Sequence, residues 1–176
     1  MAGHLSDGAA PTPAREALSP AAWRAAMGGF ASGVTIVTTW EAGEPVGSTI
    51  SAFSSVSLTP PLLLICLDLA NPIRDALEAA GVFGVNILSE DGQGVARRFA
   101  REPLSGRFSE FAHHAAPGGA PRLEAAAVFI DCAVEHIHLA GDHLIVVGRG
   151  VAVEHGEAGP PLIHHRGRFQ RLAPDA

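Results

Sequence analysis

The chain contains no lysine: all 12 of its basic residues are arginines. Schiff-base chemistry is therefore excluded, and with it any nucleotide site built on a P-loop lysine. Cysteine is nearly as scarce. Cys66 and Cys132 are the two present; they fall inside apolar runs and form no CxxC pair, which points to buried free thiols and a reducing cytoplasm. No apolar run approaches the roughly 20 residues of a membrane helix. The opening Met1–Ala17 has neither the charged start nor the apolar middle of a secretory signal. Its Ala, Pro and Gly content predicts a flexible tail over residues 1–18, ahead of one domain at 19–176. Charged residues are only 17%, with a net charge of -6. That balance offers no footprint for nucleic acid and no basic run for a membrane surface, yet leaves room for a local basic pocket. A GxGxxG after a strand and a GxSxG elbow are missing too.

What is present is a globular composition, 47% hydrophobic, in a length suited to one sizeable core. Ser19-Pro20 opens a short helix to Met27, with Trp23, Met27 and Phe30 on its apolar side and Gly28-Gly29 after it. The β-branched run Val34–Trp40 reads as a strand, Glu41–Pro45 as a turn, and Val46–Phe53 as the returning strand. Ser54–Leu58 continues extended until Pro60-Pro61. Leu62–Leu67 has the length of a buried strand. Asn71-Pro72 starts a helix to Ala80, Val82–Ile87 is a strand, and Ser89 opens a helix to about Ala100. Residues 101–121 read as a long loop with one helical turn. Val128–Leu139 and His143–Val153 form a hairpin about Ala140-Gly141-Asp142, and short strands follow at Leu162–His165 and Phe169–Leu172. About seven strands with helices between the early ones predict a mainly β fold, an antiparallel barrel with peripheral helices.

Three groups of side chains could carry chemistry. The hydroxyl-rich stretch Ser48, Thr49, Ser51, Ser54, Ser55 and Ser57 could hold a phosphate or a heteroaromatic edge, with Thr49 and Ser51 on one strand face. A water-bonded barrel face, with Gly47 as a turn glycine, explains the same residues by composition alone. Arg97, Arg98 and Arg107 offer guanidinium forks suited to phosphate. Arg97 and Arg98 lie about 100° apart on a helix, so only one of them faces a given pocket. Solvated surface is the ordinary reading of each. Among histidines, His136 and His138 share a strand face and the hairpin brings His143 close, an arrangement open to metal ligation or proton movement. The glycine and glutamate that would complete a cupin-like metal site are absent. His113, His114 and His155 read as surface residues.

The ordered blocks Phe30–Thr39, Gly47–Pro61, Leu62–Leu67, Gly81–Glu90, Ala96–Ala100, Ala140–His143 and Pro161–Phe169 resemble the flavin reductase family. Its members are the small reductase components of two-component flavin-dependent monooxygenases, built on the FMN-binding split β-barrel. The likeness spans roughly Trp23 to Leu172. Two positions depart from the family pattern: Ser51-Ala52 stands where Asn-Ser is frequent, and Thr59 where an aspartate commonly precedes the two prolines.

The resemblance implies an NAD(P)H:flavin oxidoreductase that reduces FMN or FAD with NADH or NADPH and supplies a separate monooxygenase. It implies a homodimer with the flavin near the subunit boundary, and the free thiols place it in the cytoplasm. It places Thr49, Ser51, Ser54 and Ser55 along the flavin, Cys66, Leu67 and Asp68 against it through backbone, and Asn86 to Ser89 at its border. Arg98, Phe99 and Arg107 match positions tied to the phosphate end. His143 matches a histidine near the nicotinamide, and Arg166 to Phe169 closes the pocket. Rival readings are a flavin carrier without turnover, a pyridoxine-phosphate oxidase-like flavoprotein, and a metal barrel on His136 and His138; the resemblance ranks all three below the reductase.

Overall fold

The structure is a computed structural model describing residues 17–157 and 159–172. The tail expected over 1–18 lies, apart from its last two residues, outside the described residues. Ser19 caps helix α1 (Pro20–Met27) by accepting the Ala22 N–H at 3.2 Å. Trp23, Met27 and Phe30 do lie on or after this helix, but all three are exposed, and α1 buries none of its residues.

A short strand, β1 (Ser32–Gly33), precedes the main hairpin of β2 (Thr35–Glu41) and β3 (Glu44–Ile50). The two residues between them, Ala42 and Gly43, both have positive φ, as a tight two-residue hairpin demands. β4 (Phe53–Leu58), β5 (Pro61–Asp68), β6 (Val82–Leu88), β9 (Ala126–Ala140) and β10 (His143–His155) complete a seven-stranded antiparallel sheet in the order β3-β2-β6-β9-β10-β5-β4. Helix α2 (Arg74–Ala80) links β5 to β6 and ends at Gly81. A 3-10 turn over Glu90–Gly92 leads into α3 (Gln93–Arg101), so the helix expected from Ser89 begins later than its sequence signal.

The strand expected over Val46–Phe53 is interrupted. β3 stops at Ile50, Ser51 and Ala52 are exposed, and the Phe53 N–H turns back to the Ser51 carbonyl at 3.1 Å. β4 then pairs with β5, and β3 with β2. The seam that would make a closed barrel is thus not hydrogen-bonded: β3 and β4 are the free edges of the sheet. Register shifts at Val147/Gly148 and Gly150/Ala152 bend the two longest strands, as bulges do, and the curled sheet brings β3 near β5.

The loop expected at 101–121 also holds more structure than its composition suggested. After a 3-10 turn at Leu104–Gly106 it forms β7 (His113–Ala115), which pairs with β8 (Pro121–Leu123). The chain closes with the hairpin β11 (Ile163–His165) and β12 (Arg168–Gln170), tied to β1.

Two apolar clusters hold the sheet. One packs Leu77 of α2, with Ile73 just before it, against Val37, Ile65, Leu67, Phe83 and Val146; the other packs α3 (Val95, Ala96, Phe99) against Val34, Ile36, Phe108 and Leu162. Each buried Phe or Leu removes enough apolar surface to contribute about 2 kcal/mol. Glycine makes two of these contacts possible. A Cβ at Gly148 would collide with the Phe83 ring, and one at Gly47, a β3 residue and not the turn glycine of the sequence reading, would stand 3.0 Å from Phe99.

Cys132 is fully buried beside Asp131, and burial, with the Asp131 charge second, pushes its thiol up to about 12. Burial also raises the half-buried Cys66. At pH 8 an aromatic disulfide reagent is expected to reach Cys66 slowly and Cys132 only after unfolding. Two rapidly titrating thiols in the native protein would contradict this packing.

Candidate functional site

Antiparallel register aligns side chains directly across neighbouring strands. Across β5, β10 and β9 it sets Cys66 beside Ile145 and Ile145 beside His138; one step along, Leu64 stands beside Val147 and Val147 beside His136. At the near edge Ser54 of β4 pairs with Leu64, and the Cys66 N–H donates to the Ala52 carbonyl at 3.0 Å. These residues share the sheet face opposite the buried Leu63, Ile65 and Leu67. The result is an open face of the sheet, the trough, whose floor is half-buried Leu64, Cys66, Ile145 and Val147, edged by the exposed Ser51 and Ser54. Ser55, paired with Leu63, falls on the other face and lines a groove with Phe53 and Leu62. An apolar floor with hydroxyls along one side and backbone at the rim suits a flat heteroaromatic ring carrying polar edges.

His143 stands at the end of this trough, paired across the sheet with Asp68. Its Nδ1 lies 2.7 Å from Asp142 Oδ1. That hydrogen bond, with the adjacent ring's charge, holds the Asp142 carboxyl below the usual carboxylate range. In the neutral tautomer that donates its Nδ1–H to Asp142, Nε2 is left as an acceptor. The Ala70 N–H donates to Asp68 Oδ1 at 2.7 Å, fixing the end of β5 beside which His143 sits.

Other residues singled out in the sequence face inward. Asn86 is fully buried; its amide donates to the Ile36 carbonyl and Thr38 Oγ1, both at 3.1 Å, and accepts the Leu123 N–H at 2.8 Å. Thr49 Oγ1 donates to the Ala96 carbonyl at 2.7 Å, and Ser48 accepts from Asn71. Phe99 and Leu67 are core residues. Arg107 is buried with its guanidinium on the Gly47 and Glu102 carbonyls at 2.6 and 2.8 Å, and burial lowers its pKa. Arg98 is committed to Glu110 at 2.7 Å and to the Gly106 carbonyl. Neither arginine has its fork turned to a ligand.

The last group lies at the other side of α3. Ser89 bridges Pro161, and Phe169 lies under the Arg97 guanidinium at 5.9 Å. Arg166, with φ 49, forms the tip of the β11–β12 hairpin and donates its N–H to the Gly28 carbonyl at 2.9 Å. The resemblance points to Arg98, while helical spacing shows only that Arg97 and Arg98 diverge and does not say which of them is spent on the fold. The rings of His136 and His138 are 5.9 Å apart, and among the described residues no third His, Cys, Asp or Glu completes a metal-ligating group with them. A groove of about 1210 Å³ is lined by Glu44, Val46, Glu110 and Phe111 and by none of the residues named for the site. Its carboxylates would repel a phosphate.

Residues 27–173 match the flavin reductase-like domain. The chain belongs to the flavin reductase-like family. It is a flavin reductase, an oxidoreductase of the kind that supplies reduced flavin to monooxygenases. The reductase subunit HsaB of a flavin-dependent monooxygenase from Rhodococcus jostii is 36% identical over 92% of this chain and 83% of its own. The reductase component of a 4-nitrophenol 4-monooxygenase/4-nitrocatechol 2-monooxygenase from Rhodococcus opacus is 40% identical over 89% of this chain and 83% of its own. Among solved structures, the NADH:FAD oxidoreductase SgcE6 of Streptomyces globisporus superimposes with a TM-score of 0.84 at 34% identity, covering 92% of this chain and 99% of that one.

Because the Asn86 amide is consumed inside the flavin reductase fold, Asn86→Ala is expected to act first on stability. Stranding the buried Leu123 N–H should cost about 2–3 kcal/mol in denaturant unfolding. A variant as stable as the parent would remove Asn86 from the scaffold.

Proposed function

We propose that the trough is the flavin ring site and that hydride passes there from NADH or NADPH to FMN or FAD, the reduced flavin then leaving for a separate monooxygenase. The observation that carries this reading is His143, oriented by Asp142 at the end of an apolar floor edged by serine hydroxyls. A bound flavin supplies the redox chemistry, accepting hydride at N5. The protein's part is positional. Leu64, Cys66, Ile145 and Val147 support a flat ring from one side, and Ser51 and Ser54 offer donors and acceptors to its edge. His143 offers Nε2 to the nicotinamide carboxamide. With no acid or base needed for hydride transfer itself, His143 orients and does not catalyse.

Four finer readings go with it. The curled sheet with its unpaired β3 and β4 edges is the split barrel, in a single domain over 19–176 of a cytoplasmic protein. The protein is a homodimer. Val56, Leu58, Val151 and Val153 are at least half exposed, Leu58 at 93%; these side chains, beside a groove of about 350 Å³ lined by Phe53, Leu62 and Ile130, form the apolar face a second copy would cover.

The first test follows loss of nicotinamide absorbance with NADH or NADPH and each of FMN, FAD and riboflavin. Saturable oxidation that depends on added flavin is expected. Stoichiometric flavin binding without oxidation would leave a carrier in place of an enzyme. His143→Ala should raise the KM for the nicotinamide by about tenfold while flavin affinity stays unchanged; an unchanged KM removes His143 from the site. Sedimentation at micromolar concentration should give a dimer, and Leu58→Arg should give a monomer. A monomeric parent would refute the dimer.

A further inference from the structure

Two carboxylates face each other at the β2–β3 turn. Glu41 and Glu44 are directly paired across the hairpin, and like charges so placed repel. Both are exposed, and among the described residues neither has a basic partner. The chain's own unpaired arginines are elsewhere: Arg97 and Arg101 line a hollow beside the β11–β12 hairpin. Glu41 and Glu44 line the groove of about 1210 Å³, whose apolar part is Val46, Leu104, Phe108 and Phe111.

The far wall of this groove is held in place by the fold. Arg107 fastens it to the Gly47 carbonyl of β3 and to the Glu102 carbonyl. Arg98 bonds Gly106 and Ser109, pairs with Glu110 at 2.7 Å and lies over the Phe111 ring at 5.9 Å. Phe108 meets the Phe99 ring edge-on at 4.9 Å. With Glu110 neutralised by Arg98, the uncompensated charge of the groove is that of Glu41 and Glu44. A preformed apolar groove pays little ordering entropy when it is covered. A negative lip on a chain of net charge -6 steers basic groups toward it. The seven residues of β3 run from Glu44 in the groove toward Ser51 at the edge of the trough. That is roughly 20 Å of strand, so a partner seated in the groove leaves the trough open.

We propose that this groove docks a protein segment presenting an arginine or lysine between apolar side chains, contributed by the monooxygenase that receives the reduced flavin. The source of the segment rests on the flavin reductase reading, and its chemistry rests on the groove alone. The apolar side chains cover Leu104 and Phe111, and the cation lies against both Glu41 and Glu44.

The probe is a short synthetic peptide of leucine, serine and arginine, with a counterpart carrying glutamate in place of arginine. Each is titrated into isotope-labelled full-length protein and followed residue by residue by NMR. The arginine peptide is expected to shift the amide signals of residues 41–46 and 104–112 saturably, and the glutamate peptide to leave them in place. Glu41→Gln/Glu44→Gln should weaken the arginine peptide about fivefold. Glu78→Gln/Glu157→Gln, which removes the same charge from other exposed positions, should not. The first variant should be at least as stable as the parent in denaturant, as loss of a repelling pair requires. The peptide should also leave NADH oxidation with riboflavin unchanged. No saturable shift, equal shifts with both peptides, equal weakening by both variants, or inhibition of oxidation overturns the docking site. Benzylamine bound as tightly as the peptide marks a small-molecule amine site, and groove signals that move with protein concentration alone mark a contact between copies; either result overturns the proposal. Peptide binding in a protein that oxidises no nicotinamide sustains the chemistry of the groove but fails the reductase reading, and with it the monooxygenase as the source.

Discussion

The Asn86 amide sits where water cannot replace a lost partner, so the fold must supply each of its hydrogen bonds. It draws on the Ile36 carbonyl and Thr38 Oγ1 of β2 and on the Leu123 N–H of β8. Thr38 in turn donates to the Pro121 carbonyl. One side chain thereby locks the middle of the sheet to the small β7–β8 hairpin. Because buried polar groups tolerate little misalignment, this lock fixes the β2–β6 register. The paired strands β9 and β10 take their place from β6, and through them the trough takes its shape.

The same economy governs the cations. Arg107 is too buried to serve a ligand that comes and goes: its fork holds the Gly47 and Glu102 carbonyls, and so ties β3 to the loop after α3. Arg98 ties the next turn of that loop. With Arg98 and Arg107 spent on the scaffold, Arg97 and Arg101 are the arginines of α3 without an acidic partner among the described residues. Acids are placed in the complementary way. They line the large groove at the β2–β3 turn and leave the hollow under Arg97 free of carboxylates, so an incoming anion meets opposite fields at the two places.

Much of this was legible in the residues. β-branched runs, turn glycines and prolines marked the main strands to within a few positions, since those signals act locally. The ordered blocks carried the family and, through it, the trough residues Ser54, Cys66 and His143. What could not be read was set by contacts far apart in sequence. The break at Ser51-Ala52 is a choice between two strand partners. The β7–β8 hairpin leans on Thr38 and Asn86 across the sheet, with only weak strand signal of its own. The Arg97–Arg98 pair is the sharpest case, because periodicity showed that the two must diverge while only the loop carrying Glu110 decides which is occupied.

That contrast bears on how a loosely held ring can still be oriented. On the proposed reading, the ring lies on an open sheet face with few enclosing side chains, so shape alone would hold it weakly and in more than one direction. A group fixed at one end removes part of that freedom. His143 is such a group, since its Nδ1 is held 2.7 Å from Asp142 Oδ1 before any ligand arrives. Asp68, paired across from it, is itself tied to the Ala70 N–H. Orientation supplied in advance by a few fixed groups adds little to the cost of letting the product go.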